Sequence, residues 1–243
     1  MGHKRIGIVG GIGPSATVLY YRGIIEEYQK RKGDQHFPEM VIHTLDYSEV
    51  NDHLIKGKLR ELADQLVSVI EGLQRAGCHF GLFSCNALHL VFDQVQQQVS
   101  LPMLSIVKCV LEEIKRRKIK KVGLIGTTFV MQSGLYSHPL QQAGIECIVP
   151  DEREQEWIME AIQKDLQKYL VPKGTISRLV KDVERLKKQG AEGVILGCTD
   201  LPVAITERNC PVLMFDSTAI HVKAILDRAL GIVKRRGGCD EKR

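Results

Sequence analysis

Long apolar runs, paired cysteines, aromatic residues and an excess of one charge are all scarce in this 243-residue sequence. No run of eighteen apolar residues occurs, so no membrane-spanning helix is expected. The apolar stretch after Met1-Gly2-His3-Lys4-Arg5 is short and stops at a glycine cluster, unlike a secretory signal. The cysteines, at 78, 85, 109, 147, 198, 210 and 239, are odd in number and include no Cys-x-x-Cys pair. That pattern argues against a disulfide framework and for free thiols in a reducing cytoplasm. Aromatic residues are 5% of the chain and do not interleave with its Lys and Arg. The net charge of +5 therefore suits an acidic small molecule better than nucleic acid, and basic stretches such as 115–121 are expected to be solvated helix faces.

What is present is an ordinary globular composition, 44% apolar and 26% charged, long enough for two α/β domains. Short β-branched runs alternate with longer amphipathic segments, the rhythm of a mostly parallel sheet flanked by helices. Strands are expected over 5–9, 40–44, 80–83, 122–125, 146–148, 193–196 and 212–215. Helices are expected over 15–32, 58–76, 107–117, 154–168, 175–189 and 218–233. Gly and Pro at 13–14, 101–102, 171–174 and 210–211 mark loops.

The halves repeat. Lys4-Arg5-Ile6-Gly7-Ile8-Val9-Gly10 matches Lys120-Lys121-Val122-Gly123-Leu124-Ile125-Gly126 at an offset of 116, which also superposes Leu19-Tyr20 on Leu135-Tyr136. The segment from Gly77 to Cys85 matches that from Gly190 to Cys198 at 113, and Leu101-Pro102-Met103-Leu104 matches Cys210-Pro211-Val212-Leu213 at 109. Generic βα units explain the first match but not a cysteine at the same place in both halves. Two pseudo-symmetric α/β domains are expected, residues 1–104 completed by 214–243, and residues 105–213, with a cleft between them.

Ligands of parallel sheets bind beyond the carboxyl ends of the strands, where Cys85 and Cys198 both fall. Asn86 and Thr199 follow them and are expected to cap helices, whose N-termini favour a thiolate and receive a carboxylate. Two sulfurs across a cleft suit inversion of an amino-acid Cα, which needs a base on one face and an acid on the other. Since the reverse reaction exchanges the roles, the two groups must be chemically alike, and a duplicated scaffold supplies that. The remaining cysteines are expected to be structural.

The segments 6–17, Ser84-Cys85-Asn86-Ala87-Leu88-His89 and Gly197-Cys198-Thr199-Asp200-Leu201 resemble the aspartate/glutamate racemase family. The resemblance extends to 154–159 and 215–221 and so spans nearly the whole chain. It implies a cofactor-independent racemase of a small amino acid, a homodimer, with one catalytic cysteine in each of two domains. Ala87 stands where the family usually has Thr, Asp200 where it has Glu, and Ile12 where it often has Met. Without that hydroxyl, Asn86, backbone N–H groups and Thr127 or Thr128 are expected to receive the substrate carboxylate.

The remaining candidates are weaker. Gly11-Ile12-Gly13-Pro14-Ser15-Ala16 fits a dinucleotide fingerprint formally, but the next acid after a strand, Asp46, lies 33 residues beyond Gly13 instead of about 20. Gly11 and Ile12 are therefore assigned to a loop that shapes the cleft, and neither nicotinamide nor pyridoxal phosphate is expected. Cys85-x3-His89 lacks a second ligand pair, so no metal is expected. His89 and His221 are taken as core histidines. Asp46 and Tyr47 either reach the substrate or cap a turn, and Asp200 either relays a proton or orients its loop. Lys164 and Lys168 are candidates for a second substrate carboxylate. The reading is an amino-acid racemase, aspartate first. The alternatives are a cysteine-dependent isomerase or decarboxylase of dicarboxylic acids and, from another class, a non-catalytic nucleotide- or substrate-binding module.

Overall fold

A computed structural model describes residues 3–168 and 170–232. The first half runs β1 (Ile6–Gly10), α1 (Pro14–Lys32), β2 (Met40–Thr44), α2 (Tyr47–Ile55), α3 (Leu59–Arg75), β3 (Phe80–Phe83), α4 (Phe92–Gln98) and β4 (Met103–Leu104). The second runs α5 (Ile106–Arg116), β5 (Lys121–Ile125), α6 (Thr128–Gln132), α7 (Ser137–Gln142), β6 (Glu146–Ile148), α8 (Glu152–Lys164), α9 (Lys173–Lys188), β7 (Gly193–Leu196), β8 (Leu213–Asp216) and α10 (Ser217–Ala229). Two four-stranded sheets result, ordered β2-β1-β3-β4 and β6-β5-β7-β8, with every pairing parallel. The central strands β1, β3 and β7 are buried throughout, as strands covered by helices on both faces must be.

The repeat is visible in the register. Ile6 pairs with Phe80 and Val122 with Gly193, the same pairing shifted by the offsets of 116 and 113. The third offset is corrected. Leu82 pairs with Leu104 and Ile195 with Phe215, so Leu104 corresponds to Phe215, two residues beyond Leu213. A slip of two leaves the strand faces unchanged, which is why the residue types matched in the wrong register.

The helices after the last strand of each half change partners. α5 places Ile106, Val107, Val110 and Ile114 against Val122, Leu124, Ile195 and Phe215 of the second sheet. α10 places Val222, Ile225, Leu226 and Ala229 against Ile6, Ile8, Phe80 and Leu82 of the first. The halves are thus tied together by exchanged helices, and β8 stays in the second sheet as far as Asp216 before the chain crosses back. Two expected helix bounds change. The 154–168 segment is α8 followed by a separate 3-10 turn, Leu166–Lys168, and the 218–233 segment ends as a helix at Ala229, residue 233 lying outside the described residues. Also outside them are Cys239 and the rest of 233–243. β4, too short for an alternation to show, was not expected as a strand. No described helix is long and apolar enough to cross a membrane.

Candidate active site

Cys85 follows β3 at its carboxyl end and opens a 3-10 turn, Ala87–Val91. The backbone N–H groups of Leu88 and Ala87 donate to its sulfur, an arrangement that favours the thiolate, but burial outweighs them and pushes the thiol up. His89 holds the loop from the other side. Its Nε2 accepts the Ile106 N–H at the start of α5 (3.1 Å), so Nδ1 carries the proton and donates to the Cys85 carbonyl (2.9 Å). Burial holds the imidazole near pKa 4, so it is neutral and anchors the loop without supplying a charge.

Cys198 sits two residues beyond β7, equivalent to Cys85, and is also followed by a 3-10 turn, Leu201–Val203. Burial pushes its thiol far up, and the Asp200 carboxylate and the Cys85 sulfur push the same way. The Asp200 N–H donates to the sulfur and opposes them, while the thiol donates to Asp200 Oδ2 (3.7 Å). The other carboxylate oxygen accepts from Ser15 Oγ at the start of α1 (3.3 Å), so one acid joins the glycine loop of the first half to the cysteine loop of the second. Asp200 is itself raised by burial, its two hydrogen bonds acting the other way. Tyr47, at the first turn of α2, has its phenol raised by burial and then by the charges of Cys85, Cys198 and Asp200.

The expectation of helix-activated thiolates is therefore corrected. Each cysteine is followed by a short 3-10 turn with no side-chain cap, and desolvation dominates both thiols. Asn86 and Thr199 cap nothing. Asn86 is instead buried, with Oδ1 accepting from Tyr136 Oη (2.5 Å) and one N–H of Nδ2 donating to Ser217 Oγ (3.3 Å). The second N–H of its amide has no partner among the described residues, and Ala87 contributes a backbone N–H that serves the Cys85 sulfur.

Gly11 and Ile12 lie in the loop between β1 and α1, and Cys85 packs against the same core cluster as Ile12. Gly11 has φ +93° and lies so close to Leu45 that a Cβ would stand 2.3 Å from the Leu45 carbonyl oxygen. Its N–H donates to Thr17 Oγ1 (2.9 Å), while Ile12 is buried in the first core. Asp46 caps α2, accepting the Glu49 N–H (3.0 Å). Thr127 caps α6 in the same way (Val130 N–H, 3.3 Å), and Thr128 begins that helix beyond the end of β5, half-buried. Lys164 and Lys168 are exposed, and Lys164 is ion-paired with Glu160 one turn away on α8. Nothing in these surroundings recruits them to the cysteines. His221 is a core histidine, bonded to Tyr20 Oη (2.8 Å) and the Leu104 carbonyl (3.2 Å).

Residues 9–225 match the family described as Asp/Glu/Hydantoin racemase. The chain is similar to the broad specificity amino-acid racemase RacX of Bacillus subtilis (strain 168), with 27% identity over 240 residues covering 93% of this chain and 98% of that one. An aspartate racemase homologue from Pyrococcus horikoshii OT3 has a crystal structure that superposes with a TM-score of 0.83 at 34% identity, covering 93% of this chain and 99% of that one. The Picrophilus torridus aspartate racemase shares the fold, with a TM-score of 0.74 at 22% identity over 93% of this chain and 94% of that one. With two parallel sheets in matching register and a cysteine at the same end of each, the chain belongs to the Asp/Glu/hydantoin racemase family, isomerases that racemise amino acids.

Proposed function

We propose that this protein racemises a small amino acid, aspartate being the first candidate, with Cys85 and Cys198 as the two proton-transfer groups and without a cofactor. The observation that carries the reading is the placement of both sulfurs beyond equivalent strand ends, near enough for the charge of Cys85 to act on Cys198. One sulfur, as thiolate, takes the Cα proton from one face. The other, as thiol, returns a proton to the opposite face, and the reverse reaction exchanges the roles.

Burial favours the thiol form of both groups. A bound amino acid brings an ammonium, and a cation within about 4–6 Å favours the charged sulfur, so substrate entry itself supplies part of the activation. For the substrate carboxylate the candidate donors are the second Asn86 N–H, backbone N–H groups and the Thr128 hydroxyl. The resemblance further implies a cytoplasmic protein and a homodimer, and light scattering of the purified protein tests the second.

The test of the reaction is incubation with single L-amino acids in D2O without added pyridoxal phosphate. Loss of the Cα proton by NMR should accompany the appearance of the D-enantiomer, fastest with aspartate. Faster inversion of glutamate or a neutral amino acid would overturn the substrate assignment. Racemisation that appears only with added pyridoxal phosphate would overturn the mechanism.

A further inference from the structure

One buried polar chain joins the two cysteine loops. It begins at Tyr136, the residue before α7 in the second half, whose Oη donates to Asn86 Oδ1 (2.5 Å) in the residue after Cys85. Asn86 Nδ2 donates to Ser217 Oγ (3.3 Å), and Ser217 Oγ donates to the carbonyl of Leu196 (2.7 Å), the last residue of β7, two before Cys198. Every donor along it points the same way. Tyr136, Asn86 and Ser217 are all essentially excluded from solvent.

The repeat shows that this connection is particular to one half. Tyr20 is the counterpart of Tyr136 at the offset of 116, and it donates within its own side of the molecule, to His221 on α10, which passes the contact to Leu104. Tyr136 instead reaches across the cleft. The joint at Ser217 is also the first residue of α10, the helix that crosses from the second sheet to the first. A side chain there is bonded to both halves at once.

We propose that Tyr136, Asn86 and Ser217 are positioning residues that fix the Cys85 and Cys198 loops relative to one another. The inference rests on the two-thiol reading above for its catalytic consequence, but not for the coupling itself. Hydrogen bonds inside a protein reinforce one another when every member is satisfied, and cutting one leaves its neighbours unpaired. Ser217→Ala removes the joint between the loops. Tyr136→Phe removes the first donor together with the Tyr136 hydroxyl's own contact with Ser217, leaving Asn86 Oδ1 unpaired and free to reorient. Separating two groups that must act on opposite faces of one carbon affects inversion more than proton abstraction from a single face, since displacement by about 1 Å can cost on the order of 100-fold.

Two measurements on the full chain decide the matter. Amide hydrogen exchange in Ser217→Ala should accelerate about tenfold in both cysteine loops, residues 84–89 and 196–200, as loss of one buried hydrogen bond implies. With substrate in D2O, the ratio of Cα exchange to inversion should rise at least tenfold in Ser217→Ala and measurably in Tyr136→Phe. Merely lowering the folded fraction would reduce exchange and inversion together. If Ser217→Ala does not fold, Tyr136→Phe carries both readouts, with the exchange increase expected at 84–89. Unchanged amide exchange in the loops, or an exchange-to-inversion ratio equal to wild type, overturns the proposal. Faster amide exchange in both loops of a protein that neither exchanges nor inverts any amino acid would instead overturn the two-thiol reading and leave the coupling standing.

Discussion

Ala87 and Asp200 occupy equivalent positions, two residues after each cysteine, and there the symmetry between the two sulfurs is broken. Both backbone N–H groups donate to the adjacent sulfur, but only the second position adds a carboxylate, which accepts the Cys198 thiol proton. Asp200 also acts on Cys85 through space, so one acid opposes ionisation of both sulfurs. Because both thiols are raised, the fraction present as thiolate, and with it kcat/KM, should climb with pH through the neutral range. Asp200→Asn removes the charge and leaves a weaker, neutral amide acceptor, so the Cys198 thiol falls and the rising limb of kcat/KM should move to lower pH. A limb that stays in place would show that Asp200 does not govern the reacting sulfur. These residues also mark where sequence reasoning ran short. A local argument from helix N-termini predicted lowered thiols, whereas the controlling effect is desolvation by side chains distant in the sequence. The partners of Asn86 lie 50 and 131 residues away, beyond any local pattern.

At the scale of elements, the long amphipathic helices and the buried strands were legible because their apolar periodicity extends over several turns or alternations. α3 buries Leu62, Leu66, Val69, Ile70 and Leu73 on one face, a spacing visible in the sequence. The short α2, α6 and α7 were not, since five to nine residues are too few for a 3.6-residue period to stand out. The starts of α2 and α6 are set by Asp46 and Thr127 as caps. The loop between β1 and α1 depends on Gly11, where the left-handed φ and the adjoining Leu45 backbone leave no room for a side chain. Gly11→Ala should cost about 2 to 4 kcal/mol, combining backbone strain with displacement of a neighbouring chain segment. A urea titration measures this, and a midpoint equal to wild type would mean that the loop relaxes without loss.

Across the whole molecule, the duplication was the most legible feature, because paired strands of a covered sheet repeat their apolar residues and because a cysteine recurs where ligands bind. The helix exchange was less so, since nothing in α5 or α10 states which sheet it covers. Those exchanged helices meet two buried histidines, His89 at the start of α5 and His221 within α10. Burial pulls them down to about 4 and about 3, so the folded protein keeps both neutral where an unfolded chain is protonated below about pH 6.5. Their contribution to stability is full above that pH and is lost as the pH falls toward 4, on the order of 3 kcal/mol for His89. Asp182, raised to about 6 by burial, contributes in the opposite direction over much of the same range. The direct check is a histidine NMR titration, in which the His89 and His221 rings should remain neutral down to pH 5, whereas protonation of either above pH 6 would contradict their described burial. The central claim is that two sulfurs, one from each half, serve opposite faces of one carbon. Its most direct test is to place Cys85→Ser and Cys198→Ser separately in D2O with each enantiomer of the preferred amino acid. Each variant should lose racemisation by roughly 10²- to 10⁴-fold, and any residual Cα exchange should favour one enantiomer in the first variant and the other in the second. Near wild-type racemisation by either variant, or residual exchange that favours the same enantiomer in both, would contradict it.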